Sequence, residues 1–159
     1  MRGPFGLLLV VSLACAACGP TVDLTKGLQV LDSSTGWADL GIVNGQNKLV
    51  PSITFELKNV SDQKLIALQV NAVFRKIDST EEWASGYVIV AQSEGLAPGA
   101  TSRAFTIQSP LGHTGLQPRA EMLKHAQFVD AKVDLFAKYG SVQWTRVGEY
   151  PVERRLLTQ

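Results

Sequence analysis

Cysteine is scarce in this 159-residue chain: its two cysteines, Cys15 and Cys18, both lie near the N-terminus. The sequence after Cys18 contains none. That part of the chain can therefore form no disulfide, thiol nucleophile, iron–sulfur cluster or cysteine-ligated zinc site. A domain built from it has to be stabilised without covalent cross-links.

An excess of charge of either sign is also lacking. The chain carries 15 Lys and Arg against 14 Asp and Glu, a net charge of +1, and no block of like charge stands out. A balanced charge gives no electrostatic argument for binding nucleic acid or an anionic surface. The basic pair Arg154-Arg155 is interpreted as a solvated edge. The sequence therefore predicts no nucleic-acid partner.

Catalytic motifs are missing as well. There is no Gly-x-Ser-x-Gly, no His-Glu-x-x-His and no glycine-rich phosphate loop. Asp130 and Asp134 would share one face of a strand about 13 Å apart, which is too far for a pair of glycosidase carboxylates. We predict a protein that is not an enzyme and needs no cofactor.

Long hydrophobic runs are limited to Phe5–Ala14. A run of about ten residues is too short to cross a bilayer as a helix, which takes about 20. Arg2 precedes it and small residues follow it, a pattern typical of an export signal. The alternatives, an ordinary signal peptide cut nearby or an uncleaved anchor, remain open.

The residues after this run carry a family resemblance. Ala16-Ala17-Cys18-Gly19 resembles the lipobox of bacterial lipoproteins, although Cys15 stands where that motif usually has leucine. The resemblance implies that residues 1–17 are a signal peptide and that Cys18 becomes the lipid-modified (palmitate-type acyl) first residue. Gly19 after the cysteine, rather than aspartate, implies an anchor in the outer membrane facing the periplasm.

Cleavage before Cys18 would remove 17 of the 159 residues and leave 142, the size of one domain. We expect residues 18–25 to form the lipidated cysteine and a short tether that reaches at most about 25 Å. Residues 26–159 are expected to form the folded domain.

Alternation of apolar and polar residues dominates that domain. In residues 52–59 the apolar positions are Ile53, Phe55 and Leu57, a period of two that indicates a half-buried strand. Seven or eight such segments are separated by short turns, and no long helix is indicated. We predict an all-β fold, an immunoglobulin-like antiparallel β-sandwich. The predicted strands are 24–32, 52–59, 65–76, 83–91, 102–109, 128–137, 142–147 and 150–157.

Three stretches resemble a known group of domains. Ile53–Leu65 contains a strand and an Asn-x-Ser-Asp turn, Val70–Phe74 continues as a strand, and Leu96–Ala100 holds a Leu-x-Pro-Gly step. Together they resemble the immunoglobulin-like, FxLYD-type domains of exported bacterial proteins over roughly residues 50–110, although the Phe-x-Leu-Tyr-Asp motif itself is missing. The resemblance implies a fold and no catalytic residues.

Two stretches break the alternation, residues 33–50 and 110–125, and are predicted to be long loops. Loops of such length often carry function, and their alternative role is to cap the sandwich. Trp37, between Gly36 and Asp39, is the candidate for contact with a ligand or partner, with a buried cap as the alternative.

The second of these stretches contains a candidate metal site. His113, Met122 and His125 are the two histidines and the single methionine after Cys18. Imidazole and thioether ligands together suit Cu(I), whereas Met122 could equally be a core residue of a short helix.

Taken together, the sequence predicts a membrane-anchored lipoprotein of the cell envelope that acts as a non-catalytic accessory or protein-interaction module, with an envelope protein as partner. The alternative is a periplasmic carrier of a small ligand or copper that uses Trp37 and the segment from His113 to His125. An enzyme is the least favoured class.

Overall fold

The computed structural model describes residues 20–157, which form two facing β-sheets and two short helices. The helices are α1 (Leu24–Gly27) and α2 (Arg119–Lys124). The strands are β1 (Leu28–Val43), β2 (Gln46–Asn59), β3 (Leu68–Lys76), β4 (Ala84–Ala91), β5 (Phe105–Gln108), β6 (His113–Gly115), β7 (Ala131–Lys138), β8 (Thr145–Pro151) and β9 (Leu156–Leu157).

The strand order confirms the predicted immunoglobulin-like sandwich. One sheet has the order β5-β2-β1-β9, with β6 also paired to β2, and the other has the order β4-β3-β7-β8. These orders correspond to the A-B-E and C′-C-F-G sheets of immunoglobulin-like domains. The neighbouring pairs are antiparallel except for β1 and β9. Residues 20–157 hold nine strands rather than seven or eight. β6 is too short to show alternation, and the predicted strands 142–147 and 150–157 are replaced by β8 and β9, since β8 runs through the predicted break between them.

The predicted apolar faces form the core between the sheets. Ile53, Phe55 and Leu57 of β2 are fully buried, as are Val70 and Phe74 of β3. The alternation of apolar and polar residues therefore predicted correctly which face of these strands is buried, since a shift of one residue would have turned the same side chains to solvent.

Residues 33–50 were predicted to be a loop, and this prediction is wrong. They form most of β1 and the beginning of β2, joined by a tight turn at Asn44-Gly45, where both residues have positive φ (49° and 77°). Asn-Gly is the preferred pair for such a turn. A register shift between Asp39 and Ile42, with Gly41 at φ 79°, interrupts the period of two and disguises the strand.

Residues 110–125 are only partly irregular. They contain β6 and the helix α2, which begins at Arg119, directly after Pro118. Proline at this position suits the first turn of a helix, where a backbone N–H would have no partner. β6 pairs with β2, so this part of the segment extends the sheet instead of projecting as a free loop.

Part of the predicted tether also belongs to the folded body. The Gln63 side chain donates a hydrogen bond to the carbonyl of Pro20 (2.7 Å), and the Val22 N–H donates to the Tyr139 hydroxyl (2.6 Å). Leu24 is 2% exposed and lies in the core. Residues 20–24 of the predicted tether thus belong to the folded domain, because Val22 and Leu24 supply apolar side chains that pack against the core of the sandwich.

The predicted signal peptide (1–17) and Cys18 lie outside the described residues. Between Pro20 and Leu157, no helix is long and apolar enough to span a membrane.

Candidate functional site

A small pocket brings together the three predicted metal-ligating residues. His113 on β6, Met122 on α2 and His125 at the end of α2 all line it. Its volume is about 190 Å³, below the roughly 300 Å³ of sites that hold drug-sized ligands. Thr114, Gln117, Gln127 and Phe128 complete its wall. Its size suits an ion or a very small ligand.

The His113 ring is held in one orientation. Its Nε2 lies 3.0 Å from the carbonyl oxygen of Val129. A carbonyl only accepts, so Nε2 carries the proton and Nδ1 keeps the lone pair of the neutral ring. The ring centroid lies 5.4 Å from those of Trp37 and Trp83 and 4.4 Å from that of Phe128. Burial among these rings lowers the pKa of His113 below its ordinary value, which favours the neutral, ligating form.

The other two candidate residues differ in exposure. Met122 is 5% exposed and packs near Gly115, so it lines the buried side of the site. His125 is exposed, and its Nδ1 accepts a hydrogen bond of 3.2 Å from the Gln127 backbone N–H. The neutral His125 ring therefore carries its proton on Nε2.

The donor set of this pocket is soft. Among residues 20–157, no group of three or more His, Cys, Asp and Glu side chains is placed to hold a metal ion. The pocket instead offers the Nδ1 lone pair of His113 and the thioether of Met122, and the His125 Nδ1 would join them only on giving up its hydrogen bond from Gln127. A site of this composition suits Cu(I) better than the hard ions Ca²⁺ and Mg²⁺, which take oxygen ligands.

Trp37, predicted as a contact residue in a loop, is a core residue. It lies in β1, pairs with Pro51 and Leu156, and is 0% exposed. Phe128 meets its ring edge-on at 4.5 Å. Its position behind His113 means that it cannot touch a partner directly, and its role is to support the ring of the histidine.

Arg154, interpreted from the sequence as part of a solvated edge, organises the wall of this pocket. Its guanidinium bonds both oxygens of Asp130 (2.6 and 3.2 Å) and the carbonyls of Leu123 (3.1 Å) and Phe128 (2.9 Å). It also lies over the Phe128 ring, 5.3 Å from the centroid. No motif signalled this role, because Arg154 lies 24 to 31 residues downstream of the groups it holds.

A second feature, at the end of the sandwich that carries the Asn44-Gly45 turn, was not predicted either. Leu116 and Ile42 are the most exposed large apolar side chains of residues 20–157, at 79% and 72%. Asn47 of β2 pairs with Ile42 on one side and with Gly115, the residue before Leu116, on the other. Strands β1 and β6 therefore lie about 10 Å apart. We call Leu40, Ile42, Val43 and Leu116, all exposed, the apolar tip.

No protein-family model and no curated protein matches the sequence. Solved structures with a similar fold include the Northeast Structural Genomics Consortium target SoR45, at 13% identity and a TM-score of 0.46, covering 82% of this chain and 89% of that one. Another is the putative ApaA protein from Bordetella pertussis, at 15% identity and a TM-score of 0.44, covering 79% and 91%. Neither similarity says what this chain does.

Proposed function

We propose that the protein is a lipoprotein of the cell envelope, anchored through Cys18 in the outer membrane and facing the periplasm. Its sandwich acts as a non-catalytic interaction module that presents the apolar tip to a partner protein. The signal-like residues 1–17 and Ala16-Ala17-Cys18-Gly19 support the anchor.

The apolar tip is the observation that supports the interaction role. Exposed apolar side chains that lie together often mark a protein–protein interaction site. The tip is also far from the anchor, because β1 runs for 16 residues away from the N-terminal end of the domain. At about 3.3 Å per residue, β1 reaches up to about 50 Å. The tip is thus the part of the domain best placed to meet another protein.

Asp130 and Asp134, the two carboxylates weighed as a catalytic pair from the sequence, are both engaged in ion pairs with arginines. This supports a non-catalytic role. Asp134 is 5% exposed and pairs with Arg75 (3.1 Å) and Arg146 (2.9 Å). Asp130 is held by Arg154 (2.6 Å). Both carboxylates are thus engaged by guanidinium groups of the domain itself.

The tip is tested by crosslinking in intact envelopes, followed by purification of the full-length, acylated protein. The double variant Ile42→Ser/Leu116→Ser is expected to lose its crosslinked partner. Buried apolar anchors of an interface each contribute about 2 kcal/mol or more, on the order of thirtyfold in affinity. Tyr87→Ser is the matched control, since Tyr87 is 67% exposed on the edge strand β4 of the other sheet. Retention of the partner by the double variant, or its equal loss in the control, contradicts the assignment.

Copper carriage is the second candidate function, favoured by the convergence of His113, Met122 and His125 on one pocket. Anaerobic titration calorimetry with buffered Cu(I) is expected to show one bound ion. Met122→Leu removes the sulfur and nearly preserves the volume, so affinity for Cu(I) should fall while the melting temperature stays close to that of the wild type. Met1 lies in the predicted signal peptide, so Met122 is the only thioether expected in the mature protein. Absence of binding to the wild type, or unchanged affinity in Met122→Leu, rules out this site.

A further inference from the structure

The attachment point leaves almost no free chain between the proposed anchor and the folded domain. The carbonyl of Pro20 accepts a hydrogen bond from the Gln63 side chain (2.7 Å), and Val22 is bonded to Tyr139 (2.6 Å). Cys18 precedes Pro20 by two residues, a span of at most about 7 Å. A lipid on Cys18 would therefore hold this end of the sandwich, which we call the anchor end, against the bilayer surface.

The anchor end consists of the turns that surround Pro20. Val60 begins the turn after β2, and its N–H donates to the carbonyl of Gly27 in α1 (2.9 Å). Ile66 lies beside the turn between β7 and β8, where its carbonyl accepts a hydrogen bond from the Gly140 N–H (2.9 Å). Trp144 ends that same turn. These turns lie on the side of the domain opposite the Asn44-Gly45 turn.

Several exposed side chains of the anchor end have the chemistry of a membrane interface, beside the exposed acidic residues Asp23 and Asp62. Val60 and Ile66 are each 46% exposed and Trp144 is 41% exposed. The Lys138 ammonium lies 5.0 Å from the centroid of the Trp144 ring. Tryptophan is enriched at the level of lipid headgroups, and lysine beside it can keep its charge in the polar layer while its stem covers apolar surface. Lys26 and Lys64 are exposed at the same end.

We propose that the anchor end is seated on the bilayer, with Trp144, Ile66 and Val60 in the headgroup layer. This inference rests on the proposed lipidation of Cys18 and adds an orientation to it. Seating at one end directs the apolar tip away from the membrane, so the domain holds the tip at a fixed distance from the bilayer.

The experiment uses the full-length, acylated protein reconstituted into phosphatidylcholine vesicles, with and without bromine on the part of the acyl chains next to the headgroup. Bromine quenches tryptophan fluorescence on contact. We expect brominated lipid to reduce the fluorescence of the wild type and to leave that of Trp144→Phe unchanged. The other two tryptophans should contribute little to the quenching. Trp37 is fully buried, and Trp83 lies near His113, at the end of the domain opposite the anchor end.

A pair of relocated tryptophans provides the matched control. In the Trp144→Phe background, Ile66→Trp should be quenched by brominated lipid, whereas Ile42→Trp, at the apolar tip, should not. Absence of quenching at both Trp144 and Ile66→Trp overturns the seating, as does stronger quenching at Ile42→Trp. Mass spectrometry of the N-terminal peptide separates the two proposals. Acylated protein without quenching removes the seating alone, and an unacylated Cys18 removes the anchor and the seating together.

Discussion

A Trp37→Ala variant is expected to lose about 3–5 kcal/mol in free energy of unfolding. The indole ring is 0% exposed and touches Phe128 and His113, with centroid distances of 4.5 and 5.4 Å. Removing it leaves a cavity where β1 meets the wall of the pocket, and the surrounding side chains can fill that cavity only in part. For a domain whose total stability is about 5–15 kcal/mol, such a loss is a large share.

Denaturant unfolding of the wild type and the variant measures this loss as a shift in midpoint at constant slope. Trp144→Ala is the matched control, because Trp144 is 41% exposed and its truncation should cost less than about 1 kcal/mol. If Trp37→Ala cost as little as the control, Trp37 would be a surface residue, and the contact role that the sequence suggested would become tenable again.

The residues around Trp37 have the composition of a loop, and for this reason the sequence predicted Trp37 in one. The glycine beside it is in fact explained by a long-range contact. Gly36 precedes it, and a side chain at Gly36 would meet the Leu157 side chain of β9, whose Cδ2 lies 2.6 Å from the Cβ position. Glycine is therefore needed because strand β9 approaches closely, not because the chain turns there. The approach of a strand about 120 residues downstream leaves no local pattern that could reveal it.

By contrast, the sequence was sufficient to predict those strands in which buried and less buried residues alternate. β2 alternates from Ile53 to Asn59, and β3 and β7 alternate apart from the additional buried residues Val73 and Asp134, so the apolar side chains and their face could be predicted together. The residues of the pocket could be predicted only in part. His113, Met122 and His125 are close in sequence, which made their convergence predictable, whereas Arg154 reaches their segment only through the fold.

The second large effect is expected at Asn59, in the Asn-x-Ser-Asp turn. Asn59 is 0% exposed. Its amide nitrogen donates to the carbonyls of Gln63 (2.7 Å) and Leu96 (2.8 Å), and its side-chain oxygen accepts from the Ser61 N–H (3.0 Å) and hydroxyl (2.7 Å). One buried amide thus holds the turn after β2 against the connection between β4 and β5, at the anchor end.

Asn59→Asp keeps the size of the side chain and removes both donors. The carboxylate would face two carbonyl oxygens without water, and buried polar groups without partners cost about 1–3 kcal/mol each, more when charged. We expect a loss of about 3 kcal/mol or more at neutral pH. Burial and the two carbonyls disfavour the charged form, so the pKa of the new carboxyl is expected to lie above its unfolded value. The variant should therefore be least destabilised in acid and lose stability as the pH rises.

Unfolding of Asn59→Asp in acid and at neutral pH, each relative to the wild type, tests both the size and the sign of this effect. Asn71→Asp is the matched control: Asn71 is half-buried on β3, on the face directed away from the core, and its change should stay within about 0.5 kcal/mol. Because the amide of Asn59 organises Val60–Gln63, the variant should also weaken the contact that holds Pro20. An Asn59→Asp protein as stable as the control at both pH values would show that the turn does not depend on this amide, and that the anchor end is held by its apolar contacts alone.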